Sequence, residues 1–401
     1  MKRRINKGIA VGKITAPPSK SVAHRLLICG ALAKGESVIE GISQSRDMEA
    51  TLDCIKALGV EFSKTGDTVS IKSTSFEGDY VFNCHESGST LRFFIPIALL
   101  SGRTCTFVGR DRLMARGIEV YENAFSHMGI TCVKESGKIT LSGKLSHGVF
   151  NLPGDVSSQY ISGLMFALPL LDGDSVINIT TELESAPYID ITMECLKRFG
   201  VEIVKSGSSY YIRGGQEYKS CTTVVEGDFS NAAFLDGFNL LGGDVSVLGL
   251  NKSSVQGDKA YLDYFAEIAK SNPTIDISMC PDLGPVLFAL AAVKNGATFV
   301  GTKRLKIKES DRAEAMKAEL QKFGVDVQVF ENSVIVGNGA KAPSTTLCGH
   351  NDHRIVMALT LILTLFGGEI DGCEAVKKSY PDFFEDLAKI GIRSFILDEN
   401  N

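Results

Sequence analysis

One glycine returns at a nearly constant interval along this chain. Gly59, Gly129 and Gly200 lie 70 and 71 residues apart, and Gly324 and Gly391 lie 67 apart. Each closes a short amphipathic stretch: M-E-A-T-L-D-C-I-K-A-L-G (48–59), Y-E-N-A-F-S-H-M-G (121–129), T-M-E-C-L-K-R-F-G (192–200), A-M-K-A-E-L-Q-K-F-G (315–324) and D-F-F-E-D-L-A-K-I-G (382–391). Y-L-D-Y-F-A-E-I-A (261–269) fits the series without the glycine. Apolar residues at helical spacing, with acids and lysines opposite, predict outer helices that end on glycine. After several of them comes a short strand, a polar turn and a second strand. Examples are V-E-F from Val60 with T-V-S-I from Thr68, V-E-I-V from Val201 with Y-Y-I-R from Tyr210, and V-D-V-Q-V from Val325 with S-V-I-V from Ser333. The chain is therefore read as six copies of one α/β unit, the step from fourth to fifth being shorter. A fixed period constrains the whole fold.

A second helical series interleaves with the first. It covers Pro18–Gly35, Glu86–Gly102, Pro153–Gly173, Glu226–Gly243, Pro281–Gly296 and His350–Gly368. Each segment opens on polar or glycine residues suited to an N-cap, runs on almost wholly apolar, and closes on glycine. Helices apolar nearly all round are buried. With 401 residues, two or three domains are expected. A net charge of −5 argues against a nucleic-acid or membrane surface as partner, so any anion site must be a local basic cluster. The ten cysteines form no C-x-x-C pair and mostly sit in apolar runs. With no signal peptide visible at M-K-R-R-I-N-K, a reducing cytoplasm is the expected compartment. The longest apolar stretch, Ile355–Phe366, is too short to span a bilayer.

The starts of these helices carry an unusual set of residues. Buried-helix starts hold Lys20, Ser21 and Arg25; Gly88 and Arg92; Ser157, Ser158 and Gln159; Asp228, Ser230 and Asn231; Asp282; and Asp352, His353 and Arg354. Outer-helix starts or the turns before them hold Arg112 and Arg116; Ser185 and Tyr188; Lys308, Glu309, Asp311 and Arg312; and Lys378. A helix N-terminus is partially positive, so each cation there is locally adverse by about 0.3–1 kcal/mol. Bound polyanions would offset that cost, and units packed about a common axis would gather the cations into an anion cage. Plainer readings stand beside this one. Ser19 and Asp282 suit simple N-caps, His353 a capping or core histidine, and Glu309 with Arg312 an ordinary i,i+3 pair. Arg112, Arg116 and Lys378 could be solvated loop cations.

Several of these stretches together resemble one family. P-P-S-K-S-V-A-H-R, P-G-D-V-S-S-Q-Y, S-A-P-Y-I-D-I-T, K-E-S-D-R and N-D-H-R-I-V-M-A are similar, in order from Ser19 to about Phe384, to the 5-enolpyruvylshikimate-3-phosphate synthase family. The resemblance implies transfer of the enolpyruvyl group of phosphoenolpyruvate to the 5-hydroxyl of shikimate 3-phosphate with release of phosphate. It implies no metal and no organic cofactor, a monomer, and glyphosate as a possible inhibitor. The implied fold is two inverse α/β domains of three repeats each, with buried-helix N-termini facing the cleft between them. Here those domains would be 18–225, on the shikimate 3-phosphate side, and 1–17 plus 226–401, on the phosphoenolpyruvate side. Carried onto this sequence, Lys20 touches both substrates. Ser21, Arg25, Ser157, Ser158, Gln159, Ser185, Tyr188, Asp282 and Lys308 hold shikimate 3-phosphate. Gly88, Arg116, Gln159, Arg312, His353, Arg354 and Lys378 hold phosphoenolpyruvate. Asp282 and Glu309 are the acid/base carboxylates, and Lys20 and Lys378 stabilise the leaving phosphate.

One stretch departs from the pattern. The family has N-A-G-T or N-S-G-T before the second buried helix; here it is E-S-G-S-T, with Glu86 in the asparagine place. An acid beside an anionic substrate bears on the phosphoenolpyruvate contacts of this turn and on glyphosate. Two rival readings are set aside on particular residues. A UDP-N-acetylglucosamine enolpyruvyl transferase would show Lys-Asn near its start and a loop cysteine; here Ser21 follows Lys20 and R-D-R-L-M-A-R-G (110–117) has no cysteine. A non-catalytic anion-binding repeat protein would have no use for the acids Asp282 and Glu309.

Overall fold

A computed structural model describes residues 1–73 and 76–397. The chain divides into two compact units, Lys20–Glu226 and the pair of segments Met1–Ser19 and Gly227–Asn401. The division falls one or two residues later than the expected crossings. The cause is local: Pro18 and Gly227 form a β-bridge, and Asp228 N–H donates to the Pro17 carbonyl at 2.8 Å. Ser19 Oγ donates to Gln256 Oε1 at 3.2 Å, which ties Ser19 to the same unit.

In Lys20–Glu226 the helices are α1 (Lys20–Leu32), α2 (Arg46–Ala57), α3 (Gly88–Ala98), α4 (Asp111–Ala115), α5 (Glu119–Ala124), α6 (Ser158–Ala167) and α7 (Ala186–Arg198). The apolar helices α1, α3 and α6 are buried along nearly their whole length, as all-round apolar helices must be. α3 and α6 each tighten into a 3₁₀ turn, Leu99–Ser101 and Leu168–Leu170. The outer helix expected to reach Gly129 is helical only over Glu119–Ala124.

Three four-stranded sheets cover this unit, and all share one wiring. Val81–Asn83, before α3, runs parallel to Cys105–Val108 after it, and the hairpin strands Lys138–Ser142 and Thr131–Glu135 add antiparallel. Val149–Leu152 and Ser175–Ile179 repeat this around α6. The first repeat departs in one strand. Gly35–Glu40, after α1, takes its parallel partner from the far end of the unit, Thr222–Val224.

The other unit contains α8 (Phe229–Leu240), α9 (Tyr261–Lys270), α10 (Gly284–Val293), α11 (Arg312–Lys322), α12 (His353–Phe366) and α13 (Phe383–Lys389). Here α8, α10 and α12 are the buried series. α9 shows the outer pattern, burying Tyr261, Phe265 and Ile268 along one stripe. Asp244–Leu248 pairs in parallel with Val11–Thr15, the strand that precedes α1 in the chain. No hairpin separates α9 from Thr274–Asp276, which accounts for the short fourth-to-fifth step. In the last sheet Lys2–Ile5 fills the hairpin position between Gly368–Asp371 and Ser394–Leu397. Each unit has its own hydrophobic core.

Candidate functional site

In Lys20–Glu226 the singled-out residues gather at the starts of α1, α3, α6 and α7. Lys20 Nζ donates to Asp47 Oδ2 at 2.8 Å, and Asp47 stands in the first turn of α2. An acid suits that place on a helix. Sequence reading missed Asp47, a first-turn acid of α2 that nothing nearby in the chain links to Lys20. Arg25, one turn into α1, is buried, and each of its three nitrogens makes a hydrogen bond. Its Nε donates to Thr192 Oγ1 (2.7 Å), its two terminal nitrogens to the carbonyls of Ser21 (2.7 Å) and Tyr188 (2.9 Å), and its guanidinium lies 5.0 Å from the Phe93 ring centre. Burial lowers its pKa to about 10, so it stays charged at neutral pH. Thr192 Oγ1 also meets Ser162 Oγ at 2.7 Å, so α1, α6 and α7 are stitched together by polar side chains. Ser185, just before α7, is buried with φ 57°, in the left-handed region that favours glycine.

A second set surrounds the start of α3. Ser87 caps the helix, its Oγ accepting from Thr90 N–H at 3.3 Å. A Cβ on Gly88 would lie 2.9 Å from a guanidinium nitrogen of Arg92 and another of Arg116. Gly88 therefore makes room for two cations of the protein itself. Arg92 donates to Gln159 Oε1 at 2.9 Å and lies over the Tyr160 ring. Gln159 Nε2 donates to Ser89 Oγ at 2.9 Å, and Ser157 Oγ accepts from Gln159 N–H at 3.3 Å. Gly88, Arg116 and Gln159 are thus brought together, with Arg92 among them. Arg116 is half-buried at the end of α4, whereas Arg112 is exposed. Glu86 is half-buried beside this turn.

In the other unit the arrangement centres on Arg312, whose side chain is 1% exposed. Its Nε donates to Asp352 Oδ2 (2.9 Å), one terminal nitrogen to Asp282 Oδ1 (2.8 Å) and the other to Glu309 Oε2 (2.7 Å). Burial alone would lower the Arg312 pKa; Asp352, Glu309 and Asp282 together hold it above its ordinary value. Asp282 is gripped twice more, by Arg354 at 3.0 Å and Lys308 at 3.1 Å. Burial lowers the Lys308 pKa, and Asp282 opposes the shift. Arg354 also donates to Ser230 Oγ at 2.6 Å. Asp352 caps α12 through Arg354 N–H at 3.0 Å and lies 3.8 Å from Nδ1 of the buried His353. Lys378 Nζ donates to the Asn351 carbonyl at 2.7 Å.

Two plain alternatives are thereby revised. Asp282 is a carboxylate held by three cations. Glu309 and Arg312 do form an i,i+3 pair, but as one arm of a guanidinium that carries three acids. Neutralising carboxylates is how buried cations are kept charged before an anion arrives, and these cations can exchange such partners for phosphate or carboxylate oxygens. Arg312 thereby holds two carboxylates, Asp282 and Glu309, on its two terminal nitrogens.

The chain matches the family model described as EPSP synthase (3-phosphoshikimate 1-carboxyvinyltransferase) over residues 6–387. It is 43% identical to a 3-phosphoshikimate 1-carboxyvinyltransferase of Clostridium acetobutylicum, covering 97% of each chain. It is 39% identical to one of Clostridium perfringens, covering 95% of this chain and 96% of the other. In fold it resembles an EPSP synthase from Acinetobacter baumannii, with TM-score 0.77 at 23% identity, covering 98% of this chain and 100% of that one.

Proposed function

The chain belongs to the EPSP synthase family, and on that premise we propose how its own residues carry the reaction. The activity is transfer of the 1-carboxyvinyl group of phosphoenolpyruvate to 3-phosphoshikimate, a step of the shikimate pathway. In the proposed sequence the substrate's 5-hydroxyl oxygen bonds to the central carbon of phosphoenolpyruvate as the methylene carbon takes a proton. The resulting tetrahedral adduct loses phosphate by cleavage of its carbon–oxygen bond. A methyl proton then leaves, restoring the enol ether.

Two phosphates and two carboxylates bring roughly six negative charges together, which calls for several Arg and Lys in fork-like grips. Ser21, Arg25, Ser157, Ser158, Ser185 and Tyr188 take shikimate 3-phosphate, with Gln159, Lys308 and Asp282. Gly88, Arg116, Gln159, Arg312, His353, Arg354 and Lys378 take phosphoenolpyruvate, and Lys20 serves both. Glu309 delivers the proton to the methylene carbon and Asp282 receives that of the 5-hydroxyl. These are opposite tasks, suited to two carboxyls in different surroundings. Lys20 and Lys378 stabilise the departing phosphate. Glyphosate would compete for the phosphoenolpyruvate residues, with Glu86 opposing it, and one chain supplies every group, so a monomer suffices.

The observation that carries this reading is the shared grip of Arg312 on Asp282 and Glu309, with Lys308 and Arg354 on Asp282. Phosphate release should require phosphoenolpyruvate and shikimate 3-phosphate and fail with UDP-N-acetylglucosamine. Glu309→Gln should lose turnover and incorporate less solvent deuterium into the methylene group than Asp282→Asn does. Undiminished deuterium in Glu309→Gln would assign the proton to another group.

A further inference from the structure

Glu319 is a puzzle for the proposed chemistry. It lies on α11 two turns beyond Arg312, is 2% exposed, and belongs to no set assigned above. A buried acid is costly unless paired, and this one is paired three times over. Oε1 accepts from His350 Nε2–H at 2.9 Å, Oε2 accepts from the backbone N–H of Cys348 at 2.9 Å, and both accept from Lys322 Nζ at 2.9–3.0 Å. Burial alone would raise its pKa; the hydrogen bonds from His350, Lys322 and Cys348 outweigh that and hold it below the usual carboxylate range. The residue is thus an anion that joins α11 to the segment leading into α12.

That segment is strained. His350 and Asn351 have φ 48° and 52°, two successive non-glycine residues in the left-handed region. Such a conformation persists only where its surroundings over-determine it. Glu319 holds the segment at Cys348 and His350, and the His350 N–H also meets Cys348 Sγ at 3.4 Å. The strained turn has immediate dependants. The Asn351 carbonyl accepts from Lys378, Asp352 binds Arg312 and caps α12, and Arg354 follows.

We propose that Glu319 and His350 are positioning residues: together they hold the 348–351 turn in its left-handed form, and so set where Arg354 and Lys378 stand for phosphoenolpyruvate and where Asp352 holds Arg312, a third such residue. The proposal rests on the assignment of those residues to phosphoenolpyruvate. Neither Glu319 nor His350 touches substrate in it.

The test uses the full-length enzyme with Glu319→Gln, His350→Ala and His350→Gln, assayed well below each variant's melting temperature. In the first two, KM for phosphoenolpyruvate should rise about tenfold or more, the scale of losing a hydrogen bond to a charged group. KM for shikimate 3-phosphate should stay within about twofold of wild type. His350→Gln keeps an N–H that can reach Glu319 and should recover most of the loss. Backbone amide resonances of Asn351 and Asp352 should move in Glu319→Gln, whose site is remote from them in the chain. Unmoved resonances, or both KM values rising together with the melting temperature falling, would overturn the clamp. Arg354→Ala is the separate control. If it leaves the phosphoenolpyruvate KM unchanged, the substrate assignment fails, while the resonances still decide whether the clamp exists.

Discussion

Lys20 and Arg25 share a helix but meet solvent differently. Lys20 keeps a partly buried side chain on Asp47, while Arg25 is buried deeper, against Thr192, Ser21, Tyr188 and Phe93. Between them lies His24, buried, with Nδ1 2.6 Å from Thr51 Oγ1. Thr51 Oγ1 lies 3.0 Å from Thr90 Oγ1, and Thr90 donates to Ser87 at 2.7 Å, so this polar chain runs from α1 to the cap of α3. Burial, then repulsion from Lys20 and Arg25, puts the His24 pKa well below 6.5. Unfolded, the same histidine takes up a proton near pH 6.5, so below that pH the unfolded state binds more protons and is favoured. The contribution of His24 is complete above about pH 6.5 and shrinks as pH falls, by at most about 1.4 kcal/mol per pH unit. Between pH 6.5 and 5, wild type should lose stability in urea titrations, and His24→Asn should lose less over the same interval. Equal losses would move the effect to other groups.

At the scale of elements, the start of α3 shows how a helix terminus is adapted to cations. Gly88 occupies the first helical position, where the glycine penalty of a helix interior, about 1 kcal/mol, does not apply in full. The methyl group of an alanine there would press on two guanidinium groups, and that of Arg92 is fixed by Gln159 and the Gly88 carbonyl. Gly88→Ala should therefore change the melting temperature by only a few degrees while displacing Arg92 and Arg116. The kinetic consequence expected is a KM for phosphoenolpyruvate raised about tenfold. A variant with wild-type kinetics would show that neither arginine's position matters. α11 makes the complementary point: its first residue gathers three carboxylates, and Glu319 farther along it anchors the next helix's approach.

At the scale of the molecule, one swap of strands defines both units. The strand before α1 pairs with the strand after α8, and the strand before α8 pairs with the strand after α1. Each unit nevertheless closes its own core, and Pro18 is already bridged to Gly227. Deleting 20–226 and joining Ser19 to Gly227 through one or two glycines should leave a folded protein, as should residues 20–226 expressed alone. Dispersed amide spectra and cooperative melting would be seen for both. Collapse of either to a molten state would mean that its core depends on the other unit.

Much of this could be read without coordinates, because it is local. The 67–71-residue period, the two helix series and the helix starts rest on spacing, caps and glycine conformations, which involve residues a few positions apart. Those starts also offered Lys20, Arg25, Arg312 and Arg354 as candidates, since a cation at a helix N-terminus is conspicuous in sequence, while Gly88, Asp282 and Glu309 took their roles from the family resemblance. Partners were beyond reach. Nothing in D-M-E marks Asp47 for Lys20, nothing at Glu319 points to His350, and Asp282 could equally have capped its helix. That residues 1–17 join the second unit came only through the family resemblance, and the pairing of Val11–Thr15 with Asp244–Leu248 and of Thr222–Val224 with Gly35–Glu40 was beyond reach, because strand pairing is chosen among distant edges of equal local quality. Charge and pattern are properties of a residue and its neighbours in the chain. Which acid satisfies which buried cation is settled only when packing excludes water and leaves each ion the partners within reach.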